Sequence, residues 1–194
     1  MNLLAHAVLS PPDEIIRLGN VLADFIGRNE RGDLDPRVQV GMELHRKIDM
    51  FTDAHVVVSR SKAKLIGFQR YGNALVDVIY DHFLTRAWSH ELPVQDFTRR
   101  LYSSIESHRQ LLPITCNQIA IRMIEQDWMG HYGSLDGLRI TLERMSKRIE
   151  WSTGRTVDLA SSLQILEVKY DDFMQDFLEF WPDLQKHLEA KQDY

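Results

Sequence analysis

Between Leu159 and Leu184 a large apolar side chain returns every three or four residues, through Leu159, Leu163, Leu166, Tyr170, Phe173, Phe177, Trp181 and Leu184. At 3.6 residues per turn these side chains fall on one stripe of a helix, and a stripe that wide must be covered by a second apolar surface. Helical periodicity also runs through most of the remaining chain, with no convincing alternation of the kind a half-buried strand requires. The expectation is an all-α chain, built as a compact multi-helix bundle. Trp181-Pro182 is expected to kink or divide the last helix, because proline lacks the amide hydrogen and crowds the preceding turn.

Punctuation supplies the other helices. Pro11-Pro12 followed by Asp13-Glu14 reads as a helix start with acids in its first turn, leading into a segment that runs to about Arg28. Asn20 and Asp24 share a face of it. The Gly32–Pro36 stretch is a turn, with Pro36 suited to the first position of the next helix. Further helices are expected over 56–66, 71–88, 93–110, 115–129 and 134–150, with Gly130–Gly137 as a loop. No repeat or low-complexity stretch divides the 194 residues, and 44% hydrophobic content fits one domain over 1–194 with a substantial core.

Composition narrows the functional classes. A single cysteine, Cys116, excludes an internal disulfide and a multi-cysteine metal cluster within one chain, and fits a reducing compartment. The start lacks a signal-peptide pattern, and charge interrupts every apolar run well before membrane-spanning length, so a cytoplasmic protein without membrane association is expected. A net charge of -5 argues against broad nucleic-acid binding, and no basic recognition helix stands out.

The polar residues are concentrated. His45-Arg46-Lys47-Ile48-Asp49-Met50-Phe51-Thr52-Asp53-Ala54-His55 places His45, Asp49 and Asp53 at successive i, i+4 positions on one helical face. His6, Asn20 with Asp24, and Asp81-His82 are the other groups set among apolar neighbours. Imidazole nitrogens and carboxylate oxygens together suit a divalent metal, which would also remove the cost of holding several carboxylates in such surroundings. Each group has a plainer reading. His6 is a packing residue at a helix end, Asp24 pairs with Arg28 one turn on, and His45 and Asp49 form ion pairs on a wet face. Asp53 and His55 cap the following helix, a role favoured for Asp53. Asp81 and His82 are adjacent and diverge by about 100°, so they cannot both face one site. His90, His108, His131 and His187 are expected at the surface. The cations Arg60, Lys62, Lys64 and Arg70 form either a solvated face or a local field that steers an acidic partner.

Met1-Asn2-Leu3-Leu4-Ala5-His6, Gly19-Asn20-Val21-Leu22-Ala23-Asp24-Phe25, the 45–55 segment and Tyr80-Asp81-His82-Phe83-Leu84 follow one another in an order and spacing that resembles the acyl carrier protein phosphodiesterases. The resemblance covers essentially the full length. Leu3 stands where that family often has phenylalanine and Val56 where proline commonly follows the histidine, differences of packing and turn shape. The resemblance implies a helical relative of the His-Asp (HD) metal phosphohydrolases, although the contiguous His-Asp dipeptide of that wider group is absent here. It further implies hydrolysis of holo-acyl carrier protein to apo-acyl carrier protein and 4'-phosphopantetheine with a divalent metal, typically Mn2+, with Mg2+, Fe2+ or Zn2+ as alternatives.

On that reading Asp24, His45 and Asp49 are the principal ligands, with His6 and Asp81 next, and Asp24 also contributes to catalysis. Arg46 clamps phosphate, His82 or, less favoured, His55 protonates the leaving serine oxygen, and Arg60, Lys62, Lys64 and Arg70 dock the acidic carrier. Two rivals remain at this stage. One is an HD-type phosphohydrolase of a nucleotide or small phosphodiester, and the other a noncatalytic helical ligand-binding module.

Overall fold

A computed structural model describes residues 1–190, and among these every regular element is helical. The residues form two compact units, one of residues 3–50 and 88–130, the other of 1–2, 51–87 and 131–190. No described helix is long and apolar enough to cross a membrane.

The first unit contains α1 (Leu3–Val8), α2 (Glu14–Leu22), most of α3 (Pro36–Ala54), α6 (Val94–His108) and α7 (Ile114–Glu125). Asp13 caps α2, its carboxylate accepting from the Ile15 and Ile16 amides at 2.9 and 3.0 Å. The helix expected to reach about Arg28 ends at Leu22, and the chain continues through short 3-10 turns at Ala23–Phe25 and Arg28–Glu30. Helices α2 and α3 touch backbone to backbone. A Cβ on Gly19 would lie 2.2 Å from the Val38 carbonyl oxygen, and one on Gly41 2.1 Å from that of Ile16. Only glycine permits this approach at either position.

The second unit contains α4 (Val56–Lys64), α5 (Gly72–Arg86), α8 (Leu135–Thr153), α9 (Leu163–Val168) and α10 (Tyr170–Glu189). Its core sits where α10 meets α4 and α5, with Phe173, Phe177, Phe180 and Leu184 all buried, the rings of Phe177 and Phe180 against Tyr80 and that of Phe177 also against Phe83. The apolar stripe is therefore real but differently phased near its end. Phe180 is buried and Trp181 only half-buried, since 173, 177, 180, 184 and 188 keep closer to the helical period. The terminal segment divides at Lys169 rather than at Pro182. Pro182 lies inside α10 on its exposed side, where water can satisfy the carbonyl that its missing amide leaves without a donor.

Candidate metal centre

His6, on the short α1, and Asn20, in the last turn of α2, are both buried. The Asn20 amide nitrogen lies 2.8 Å from the His6 carbonyl, which can only accept, so this nitrogen is the donor and Oδ1 is the acceptor end of the side chain. His6 Nδ1, 2.9 Å from Oδ1, must then carry its hydrogen. On α3, His45 Nδ1 lies 2.7 Å from the Asn20 main-chain carbonyl and must likewise donate. That carbonyl is among the last four of α2, which have no i+4 amide within the helix to serve them. In their neutral forms both imidazoles therefore present a bare Nε2.

Both Nε2 atoms face carboxylates. His6 Nε2 is 3.2 Å from Asp49 Oδ1, and His45 Nε2 is 3.0 Å from Asp49 Oδ2 and 3.3 Å from Asp24 Oδ1. The rings stack at 3.9 Å with 12° between their planes. His45 Nε2 is buried yet outside hydrogen-bonding geometry with either carboxylate, although within ion-pair distance of both. A lone pair turned toward carboxylate oxygens is repelled unless a proton or a cation lies among them. Among the described residues, His6, His45 and Asp49 form the one group of three or more such side chains whose donor atoms converge closely enough for a metal ion. The donors present fit a divalent cation.

Electrostatics agree with this geometry. Burial lowers the His6 pKa to about 4, outweighing the attraction of Asp49 and keeping the ring neutral. Burial alone would also depress His45, but Asp24 and Asp49 reverse the effect and push it up to about 9. Asp49 is held well below the carboxylate range because His45 and His6 overcome its desolvation, and Asp24 is lowered chiefly by His45. The partner of Asp24 is thus His45 rather than Arg28, since the chain leaves α2 before an i, i+4 pair can form. The site also lies at the negative end of α2, which favours a positive charge.

The other sequence candidates occupy different settings. Asp81 is fully buried and engaged on α5, in the second unit. Its neighbour His82 donates from Nδ1 to the Tyr132 carbonyl at 2.7 Å and meets the Tyr170 hydroxyl through Nε2, also at 2.7 Å. Burial lowers its pKa. His55 rather than Asp53 caps α4, accepting from the Val57 amide through Nδ1 and facing Asp183 through Nε2. Asp53 is exposed in the last turn of α3. Arg46 is exposed and turned toward Glu43, with a further contact to the Met50 sulfur.

In the basic run, Arg60 pairs with Asp176 and Glu179, and Lys64 with Asp176, leaving Lys62 and Arg70 outside that network. Of the histidines expected at the surface, His90 is exposed, whereas His108, His131 and His187 are half-buried against Glu14, Arg144 and Phe51. Sequence reasoning grouped Asn20 with Asp24 but gave it no role, and the structure sets its side chain against His6 and its carbonyl against His45. The position of Asn20 one turn before Asp24 was the available signal.

Comparison with known proteins places this chain in a family. The chain aligns with an acyl carrier protein phosphodiesterase of Serratia proteamaculans at 31% identity, covering 99% of this chain and all of the relative. Proteins of the same name from Photorhabdus laumondii and Yersinia pestis are 30% and 29% identical, covering 100% and 99% of this chain and 98% and 100% of the relatives. No solved structure matches the chain. The family model described as acyl carrier protein phosphodiesterase matches residues 1–184, through both units and every residue of the His6, Asp24, His45 and Asp49 cluster, and the chain belongs to that family.

Proposed function

We propose that this chain is a divalent-metal phosphodiesterase of the cytoplasm that hydrolyses holo-acyl carrier protein to apo-acyl carrier protein and 4'-phosphopantetheine, its whole length acting as one domain. The observation that carries this reading is the convergence of two Nδ1-protonated imidazoles and Asp49, with Asp24 beside them, in a chain of this family.

His6, His45, Asp49 and Asp24 hold the ion. Mixed nitrogen and oxygen donors suit manganese, and the same set admits magnesium, iron or zinc. When bound, such an ion lowers the pKa of a water molecule and neutralises charge that builds on phosphoryl oxygens. Asp24 is ionised and 70% exposed, so it orients the attacking water by accepting its hydrogen bond. Arg46, next to His45 on the exposed side of α3, exchanges Glu43 for phosphoryl oxygens, which match its planar fork. His82 and His55 are set aside as acids because the nitrogens of the first are occupied and the second caps a helix. Asp81 is assigned to the packing of α5. Lys62 and Arg70 remain for the carrier, since Arg60 and Lys64 are neutralised by Asp176 and Glu179.

Incubating holo-acyl carrier protein with the protein and Mn2+, read by mass spectrometry, tests the reading. The carrier should lose its phosphopantetheine mass, and Asp49→Ala should lower kcat/KM by more than about 100-fold with the fold retained. An intact carrier, with other divalent metals also tried, overturns the substrate assignment. Full turnover by Asp49→Ala overturns the site.

A further inference from the structure

We infer that Asn20 is a positioning residue that fixes the hydrogen-bonding sense of both imidazoles, through its side chain for His6 and through its main chain for His45. The inference deepens the metal reading above and rests on it. Ser10 Oγ donates to the His6 carbonyl at 2.8 Å and accepts from Asn20 Nδ2 at 2.9 Å, while Nδ2 donates to that same carbonyl at 2.8 Å. Both amide hydrogens of Asn20 are thereby engaged, and the side chain cannot flip without setting Oδ1 against a carbonyl oxygen. Oδ1 is left facing His6 Nδ1, which must donate. The same residue's carbonyl, at the end of α2, holds His45 Nδ1.

Each ring then offers only Nε2 to the ion, and the Nδ1 hydrogen of each stays hydrogen-bonded to its Asn20 oxygen when the ion arrives. Hydrogen bonds of this kind behind a ligand typically account for about 10–100-fold in metal affinity. The two roles are separable, because a substitution at position 20 removes the side chain and keeps the carbonyl.

The test uses the metal-free protein at neutral pH with 15N-labelled histidine, together with Mn2+ titration by calorimetry. In the unsubstituted protein His6 should show a protonated Nδ1 and a bare Nε2, and His45 a slowly exchanging Nδ1 hydrogen. In Asn20→Leu the His6 pattern should disappear, the His45 Nδ1 hydrogen should persist, and Mn2+ should bind about 10–100-fold more weakly. Asn20→Asp should restore part of the loss, because a carboxylate still accepts from His6 but cannot donate to its carbonyl. If Asn20→Leu fails to fold, Ser10→Ala, which removes only the outer bond, should give a smaller loss in the same direction. An unchanged His6 pattern with Mn2+ affinity within about twofold in the folded variant overturns the inference, as does parallel disturbance of both rings. Neither readout involves the carrier protein, so a failure of the substrate assignment would leave this result standing.

Discussion

Gly41 and Asn20 lie so close that a Cβ on the first would stand 2.7 Å from the amide nitrogen of the second. This approach lets a histidine on α3 reach a main-chain carbonyl of α2, a partner that no side-chain substitution on α2 could remove.

Gly41→Ala is therefore expected to force α2 and α3 apart. The added methyl also meets the Ile16 carbonyl at 2.1 Å, and backbone on both sides has little freedom to yield. Overpacking of this kind costs about 1–3 kcal/mol. Urea denaturation should show that loss, and Mn2+ titration of the folded fraction should show weaker binding as His45 leaves the Asn20 carbonyl. Unchanged stability would mean that the helices can separate freely.

The Asp176 network gives a pH dependence independent of the metal centre. Burial would raise the Asp176 carboxyl, but Lys64, Ser61 and Arg60 overcome it, and the net pKa is depressed. A depressed folded pKa contributes stability above the unfolded value of about 4, and this contribution is lost as pH falls through the folded value. Thermal unfolding followed from pH 7 toward pH 2 should show this acid-dependent loss reduced in Asp176→Asn. Asp176→Ala at neutral pH should cost about 2–3 kcal/mol, below the usual cost of breaking a fully enclosed pair because Arg60 is half exposed.

Carrier docking separates the four cations. Lys62→Glu with Arg70→Glu should raise KM for the carrier several-fold at low salt, with the difference shrinking as ionic strength rises. Arg60→Glu should instead lower stability, by placing a third acid beside Asp176 and Glu179. A KM indifferent to reversal at both Lys62 and Arg70 would remove this face as the docking surface.

His55→Ala should behave as the loss of a helix cap. About 1 kcal/mol of stability should disappear, and kcat on the carrier should stay near that of the unsubstituted protein. A fall of 100-fold or more in kcat would return His55 to the chemistry.

Local spacing made part of the centre legible before any tertiary information. His45 and Asp49 sit one helical turn apart on a helix that forms as expected, and their convergence follows from that period. His6 and Asp24 were recognisable as polar residues among apolar neighbours, but their partners depend on how α1, α2 and α3 cross. The contribution of Asn20 could not be read, because half of it is a carbonyl whose availability depends on α2 ending at Leu22 rather than near Arg28. Periodicity likewise located the buried stripe of α10 while misjudging its phase at Trp181, where two adjacent aromatics compete for one core position. The basic run was legible as composition only. Asp176 and Glu179, more than a hundred residues later, decide which of its charges are neutralised.

Burial at the centre is graded: His6 is 1% exposed, His45 10%, Asp49 36% and Asp24 70%. An incoming cation would therefore meet the anionic oxygens of Asp24 and Asp49 before it reached the imidazole nitrogens. Capture and discrimination would then be successive events, with long-range attraction admitting any divalent ion and the deeper imidazoles retaining those that bind nitrogen well. The ion found in the protein would then reflect residence time more than rate of arrival.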